Sequence, residues 1–223
     1  MSNGIPMTNG ITMTNGITMT NPVIESLVSR STTSLYDPAF SLTDDQIREL
    51  VRIATTAPTS FHLQNWRFIA VRTPEAKAAL RLIAWDQPKV TAAAVTFIIC
   101  GQLPDHEVVR QRLAPVVEAG IMPAEIVLDY ENAARRLYFE KPQCQRDEAL
   151  RSGAIAATAM MYAANALGLG STPMIAFDPE PLAREFALAE DEVPVMLLAV
   201  GSKLPQNWPQ KPRRPVADVL EFV

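Results

Sequence analysis

A chain of 223 residues is sized for one generous domain and can bury about 70% of its unfolded surface. Its 48% hydrophobic and 20% charged residues are those of an ordinary globular protein, and a net charge of -4 removes any electrostatic case for a nucleic-acid partner. Two cysteines, Cys100 and Cys144, are too few and too far apart for a disulfide scaffold or a zinc cluster, and read as reduced thiols of a cytoplasmic protein. No membrane is expected as a partner. The longest apolar run, residues 154–167, has about 14 residues and contains Thr158, Tyr162 and Asn165, and the N-terminus has neither a secretory nor a transit pattern.

The chain opens with a six-residue repeat, Asn-Gly-Ile-Pro/Thr-Met-Thr, written three times over residues 3–20. Copies this short cannot stack into a solenoid, and regular Asn-Gly pairs with little charge predict a flexible arm over residues 1–21 without a function of its own, ahead of one domain over 22–223; a start-codon artefact and a β-like arm laid on a partner subunit are the other readings. A short helix is expected over 22–28. It leads into Ser29-Arg30-Ser31-Thr32-Thr33-Ser34-Leu35-Tyr36-Asp37-Pro38, where one guanidinium stands among hydroxyls. Such a set suits a phosphate or a polyol chain, because Arg offers forked charged donors and Ser and Thr add neutral ones. A solvated surface arginine is the other reading.

Thr43 and Gln46 have the spacing of a capping box, Asp44 and Asp45 suit the positive end of a helix, and Ile47, Leu50, Val51 and Ala54 recur at helical intervals. Pro58 stops that helix. Residues 67–71, Arg-Phe-Ile-Ala-Val, form a nearly continuous apolar run, expected of a strand covered on both faces. Between them lies Ala57-Pro58-Thr59-Ser60-Phe61-His62-Leu63-Gln64-Asn65-Trp66. Ser60, His62, Gln64 and Asn65 there offer a hydroxyl, an imidazole and two carboxamides, groups able to read the edge of a planar heterocycle. They could equally cap the helix and satisfy loop backbone.

Thr73-Pro74-Glu75 starts a helix that runs to about 84, and residues 92–100 are expected to be a buried strand. Two helices over 105–118 and 124–139, separated by Gly120-Ile121-Met122-Pro123, carry Tyr130, Tyr138 and Phe139 as core residues able to lid a pocket. The longest helix is predicted over 146–167. Its second half is small and apolar on every face, which asks for burial all round and so for a second subunit. Gly168-Leu169-Gly170 ends it and lacks both the third glycine and the preceding strand of a dinucleotide fingerprint. A helix over 179–186 precedes a central strand over 193–201, with Pro194 near its tolerated start. The Pro-rich tail holds Lys211, Arg213 and Arg214, a second anion-binding candidate or a solvated basic tail.

Four of these stretches, taken in order, resemble the FMN-dependent nitroreductase family over roughly residues 23–220. Residues 29–37 resemble its N-terminal Arg-x-Ser/Thr-x-basic segment, and residues 57–68 its Ala-Pro-Ser-Ser-x-Asn-x-Gln-Pro-Trp-x-Phe loop. Residues 168–178 are similar to its glycine turn and Pro-x-x-Gly-x-Asp strand, and Lys211-Pro212-Arg213 to its closing Lys-x-Arg. The resemblance implies an α+β fold with a mostly antiparallel central sheet flanked by helices, and an intertwined homodimer with tightly bound FMN at its interface. It implies that Arg30, Lys211 and Arg213 hold the FMN phosphate with Ser31, Thr32 and Ser34 beside them. It places Ser60, His62, Gln64 and Asn65 at the ribityl chain and ring edge, and main chain at Pro173, Met174, Ile175 and Ala176 beside the ring.

The function it implies is hydride transfer from NADH or NADPH through flavin N5 to an electron-poor small molecule, a nitroaromatic, quinone or enal, in ping-pong order. No side-chain acid or nucleophile is then needed, because the flavin supplies the chemistry. A carrier or sensor that holds flavin without turnover is the rival. Three positions depart from the family pattern: Ser34 stands for a cation, His62 for Asn, and Ala176 for Gly, which fits only where φ is negative.

Overall fold

Strands of apolar residues alternate with amphipathic helices, and the computed structural model, which describes residues 21–223, arranges them as a sheet between two helical layers. In chain order the elements are α1 (Pro22–Ser29), α2 (Asp44–Ala54), β1 (Trp66–Val71), α3 (Pro74–Ile83), α4 (Pro88–Ala92) and β2 (Val95–Gln102). They continue with α5 (Val108–Glu118), α6 (Glu125–Tyr138), α7 (Pro142–Ala166), β3 (Gly170–Met174), α8 (Pro179–Glu185) and β4 (Glu192–Gly201). The strands lie in the order β1-β2-β4-β3 and every neighbouring pair is antiparallel. The α+β expectation is met. The repeat over 3–20 lies outside the described residues.

Because side chains alternate across a strand, β2 and β4 feed two cores. Ile98, Cys100, Leu197 and Ala199 meet Leu80, Val90 and Leu182 of α3, α4 and α8 on one face. Val95, Phe97, Ile99, Leu198 and Val200 meet Leu50, Ala54, Ala157 and Met160 of α2 and α7 on the other. Each large side chain fully removed from water contributes about 1.5–3 kcal/mol. Burial pushes the Cys100 thiol up to about 12, with the Glu192 carboxylate adding to the effect. Glycine sets how near α7 approaches the sheet: a Cβ on Gly101 would stand 1.9 Å from the Ala149 carbonyl oxygen.

The strand covered on both faces is β2, not β1. β1 is an edge strand whose Arg67 and Ala70 are exposed, and its apolar run reflects the pairing of Phe68 and Ile69 with opposite cores. The run expected as a strand from 92 begins at Val95, because Pro88 opens the short helix α4 through residue 92. α5 begins at Val108, three residues inside the predicted span, and α7 begins at Pro142, four residues ahead of it, with proline in its first turn. The capping box on α2 is present: Gln46 N–H donates to Thr43 Oγ1 at 3.2 Å and Thr43 N–H to Gln46 Oε1 at 2.9 Å. Within one chain α7 is not buried all round, since Arg151, Ile155 and Thr158 form an open face.

Candidate functional site

The predicted site residues gather in two corners of the sheet and along one strand between them. In the first corner, Thr32 and Thr33 lie along the outer edge of β3 before Tyr36 bridges Lys203: Thr32 bridges Ser171, Thr33 N–H donates to the Ser171 carbonyl at 3.1 Å, and Thr172 Oγ1 donates to the Thr33 carbonyl. A Cβ on Gly170 would collide with the Thr33 hydroxyl at 2.3 Å, so glycine permits this approach. The tail folds back onto the segment. Asn207 Oδ1 accepts from Ser34 N–H at 2.6 Å and Leu35 N–H at 2.9 Å, while Gln210 Nε2 donates to the Arg30 carbonyl at 2.8 Å. Gln210 Oε1 in turn accepts from Arg213 Nη2 at 3.0 Å, which brings the tail cation to the Arg30 segment.

Lys211 sits 5.6 Å from the Trp208 ring, and both lie on the exposed tail. Ser31 is half-buried, and Thr32 and Ser34 are exposed. Two polar atoms in this corner are buried and have no partner among the described residues, Arg30 Nη1 and Ser171 Oγ. A buried donor left unpartnered is costly, so a corner built this way fits an anionic, hydroxyl-bearing group. Ser171 carried no sequence signal of its own; its role comes from the bridge to Thr32.

The second corner is the loop before β1. Phe61, His62 and Gln64 have φ of 50°, 56° and 48°, left-handed values that cost about 1–2 kcal/mol each for residues with a Cβ. Several bonds hold them there. Gln64 N–H donates to Thr59 Oγ1 at 3.0 Å, and Ser60 Oγ donates to the buried Glu148 carboxylate at 2.8 Å. Asn65 is buried, donates through Nδ2 to the Gln102 carbonyl at 2.8 Å and leaves its Oδ1 without a partner. His62 is exposed, its Nε2 2.8 Å from Gln64 Nε2, so the ring and the carboxamide present one joined polar edge. The loop forms one wall of a cleft of about 640 Å³, closed on the other side by Leu113, Val116 and Met122 from the α5–α6 region and by Tyr130.

Between the corners, Pro173 and Ile175 are exposed, whereas Met174 packs into the core. Ala176 is not among the residues with positive φ, so the condition for replacing glycine there is met. A turn that drew no attention in the sequence is fastened beside this strand end. Gln87 Nε2 donates to the Ala176 carbonyl at 3.0 Å, and Trp85 Nε1 to Asp178 Oδ1 at 3.0 Å. Trp85 stays 64% exposed at a φ of 52°, an indole fixed in the open.

The two corners are far apart in one chain. Ser60 is bonded to Glu148 and Ser29 to Asn165, positions 17 residues apart on α7, which at 1.5 Å per residue is about 25 Å. Among the described residues no cluster of metal-binding side chains occurs, and no helix is long and apolar enough to cross a membrane.

The α+β domain thus sets a buried guanidinium nitrogen and hydroxyl at one corner and a braced, amide-rich loop at the other. The chain belongs to the nitroreductase family, whose model matches residues 27–202. Membership makes it an oxidoreductase. YdgI of Bacillus subtilis, whose name places it among the NAD(P)H nitroreductases, is 31% identical over 203 residues, covering 89% of this chain and 96% of its own. The CLA biosynthesis enone reductase of Lactiplantibacillus plantarum is 26% identical over 186 residues, covering 78% and 82%. A crystal structure from Exiguobacterium sibiricum, named as a nitroreductase in complex with FMN, superposes with a TM-score of 0.82 at 25% identity, covering 90% of this chain and 97% of that one.

Proposed function

We propose that the protein is an FMN-dependent NAD(P)H oxidoreductase that reduces an electron-poor small molecule, a nitroaromatic, quinone or enal, in ping-pong order. It works as a cytoplasmic homodimer whose flavin sites are shared between copies. The observation that carries this reading is the pairing of a buried guanidinium nitrogen and hydroxyl left without partners among the described residues, on Arg30 and Ser171, with a polar loop about 25 Å away on the same chain. One mononucleotide cannot touch both corners of one copy. Two copies packed on the open face of α7, which exposes Arg151, Ile155 and Thr158, can bring unlike corners together. The apolar tail supports the same arrangement, since Trp208, Val216, Val219, Leu220 and Phe222 are each at least half exposed in the single chain.

FMN, when bound, supplies hydride transfer at N5. The chain's residues then bind and orient. Arg30, Lys211 and Arg213 would hold the phosphate by charge-assisted donors, and Ser171 with Ser31 and Thr32 would meet the polyol chain. Main chain at 173–176 would line the ring, and His62 and Gln64 would read its polar edge. Trp85, fixed beside the end of β3, would offer the acceptor a flat apolar surface. No acid or nucleophile is assigned, because positioning and electrostatics suffice.

The visible spectrum of purified protein, followed by NADH or NADPH without oxygen, tests the proposal. Flavin bands that bleach support it and show the preferred nucleotide. Flavin bands that persist with both nucleotides contradict turnover and select a flavin carrier or sensor.

A further inference from the structure

We infer that Glu148 is a positioning residue: from inside α7 its carboxylate grips Ser60 and keeps the loop through Gln64 in the backbone shape that presents His62 and Gln64 to a ligand. What the loop binds rests on the proposed function; that Glu148 braces it does not. Glu148 is only 5% exposed and 88 positions from Ser60 in the chain, yet one of its oxygens accepts the Ser60 hydroxyl at 2.8 Å. The other oxygen accepts Nη1 of Arg151, whose guanidinium reaches solvent.

A carboxylate buried in a helix that packs against a sheet is an expensive choice. An apolar residue of similar size could fill the space at less desolvation cost, so stability alone does not explain the charge. Its partner does. Ser60 immediately precedes Phe61 and His62, and three of the next four residues hold φ near +50°. Such backbone relaxes unless its surroundings fix it.

The same node reaches α6. The Tyr138 hydroxyl is buried without a hydrogen-bond partner among the described residues, and burial, with the nearby Glu148 charge, raises its pKa. The Phe61 ring stands edge-on to Tyr138 and to Tyr130, with centroids 6.1 and 6.0 Å away. Glu148 therefore sits where α7, the strained loop and the helix closing the cleft converge. Arg151, at the rim exposed in the single chain, pairs with the buried carboxylate.

The test compares Glu148→Ala, Glu148→Gln, Ser60→Ala and the Glu148→Ala/Ser60→Ala double variant. Amide hydrogen exchange at residues 61–65 is read on flavin-free protein, and FMN affinity by fluorescence quenching. Both alanine variants should speed exchange at 61–65 and weaken FMN by roughly tenfold, and the double variant should be no worse than the weaker single, as for groups acting through one bond. Glu148→Gln, which keeps an acceptor for Ser60, should stay within about twofold of wild type. Should Glu148→Ala not fold, Ser60→Ala alone must still show both changes. Unchanged exchange at 61–65 alongside a lowered Tm, or additive losses in the double variant, would overturn the inference. A loosened loop with unchanged FMN affinity overturns its link to the flavin. Wild-type protein that takes up no FMN instead defeats the proposed function, and the exchange data still decide the role of Glu148.

Discussion

The two corners of the candidate site are built on opposite plans. At the Arg30 corner the backbone is extended and relaxed, and what marks the site is chemical: a buried guanidinium nitrogen and the Ser171 hydroxyl have no partner among the described residues. At the loop corner nearly every polar group is occupied, and what marks the site is conformational: Phe61, His62 and Gln64 are held in left-handed backbone by bonds to Glu148, Thr59 and Gln102. One corner waits for charge and the other is shaped in advance. A ligand with an anionic end and a planar end needs both kinds, because charge attracts from a distance whereas a ring edge needs fixed donors and acceptors.

Removing the charge should break the contrast most sharply. Arg30→Ala is expected to weaken FMN binding roughly 100-fold, the scale of a buried charge-assisted bond, with little change in Tm; Arg213→Ala, on the exposed tail, should cost about tenfold or less. Fluorescence titration at two ionic strengths checks this, and equal losses from both would mean that burial does not set their weight. Relaxing the shaped corner should do the reverse. His62→Gly relieves a φ of 56° at an exposed position, so the flavin-free protein should gain up to about 1 kcal/mol, a Tm rise of roughly 2–4 °C, while FMN binding weakens a few-fold. A lowered Tm would show that the left-handed backbone is not strained. The smallest effect belongs to Ser34→Lys, which adds a cation at an exposed position of the charged corner and should tighten FMN by about threefold at low salt, fading as salt rises.

Much of this was legible before the fold was known. The capping box at Thr43 and Gln46, the proline starts and the apolar runs are local signals, and they placed α2, α3, β2 and β4 within a few residues. What sequence could not supply were relations between distant residues. β1 reads as buried because Phe68 and Ile69 are apolar, but only the strand order makes it an edge. No sequence pattern marks Glu148 or Trp85, because their partners Ser60, and Asp178 beside Ala176, are brought to them only by the fold. The four blocks in order pointed to the family. They did not show that one chain keeps its corners about 25 Å apart.

That separation is the central claim, and mixed dimers test it most directly. Neither Arg30→Ala nor a loop variant, Gln64→Ala with His62→Ala, should bind FMN well as a homodimer. If each site takes its charged corner from one copy and its loop from the other, a dimer with one chain of each kind places both lesions in one site and leaves the second intact. Co-expressed, differently tagged chains should then recover one tightly bound FMN per mixed dimer. Mixed dimers that bind no better than either parent would place both corners of each site on a single chain and contradict the account.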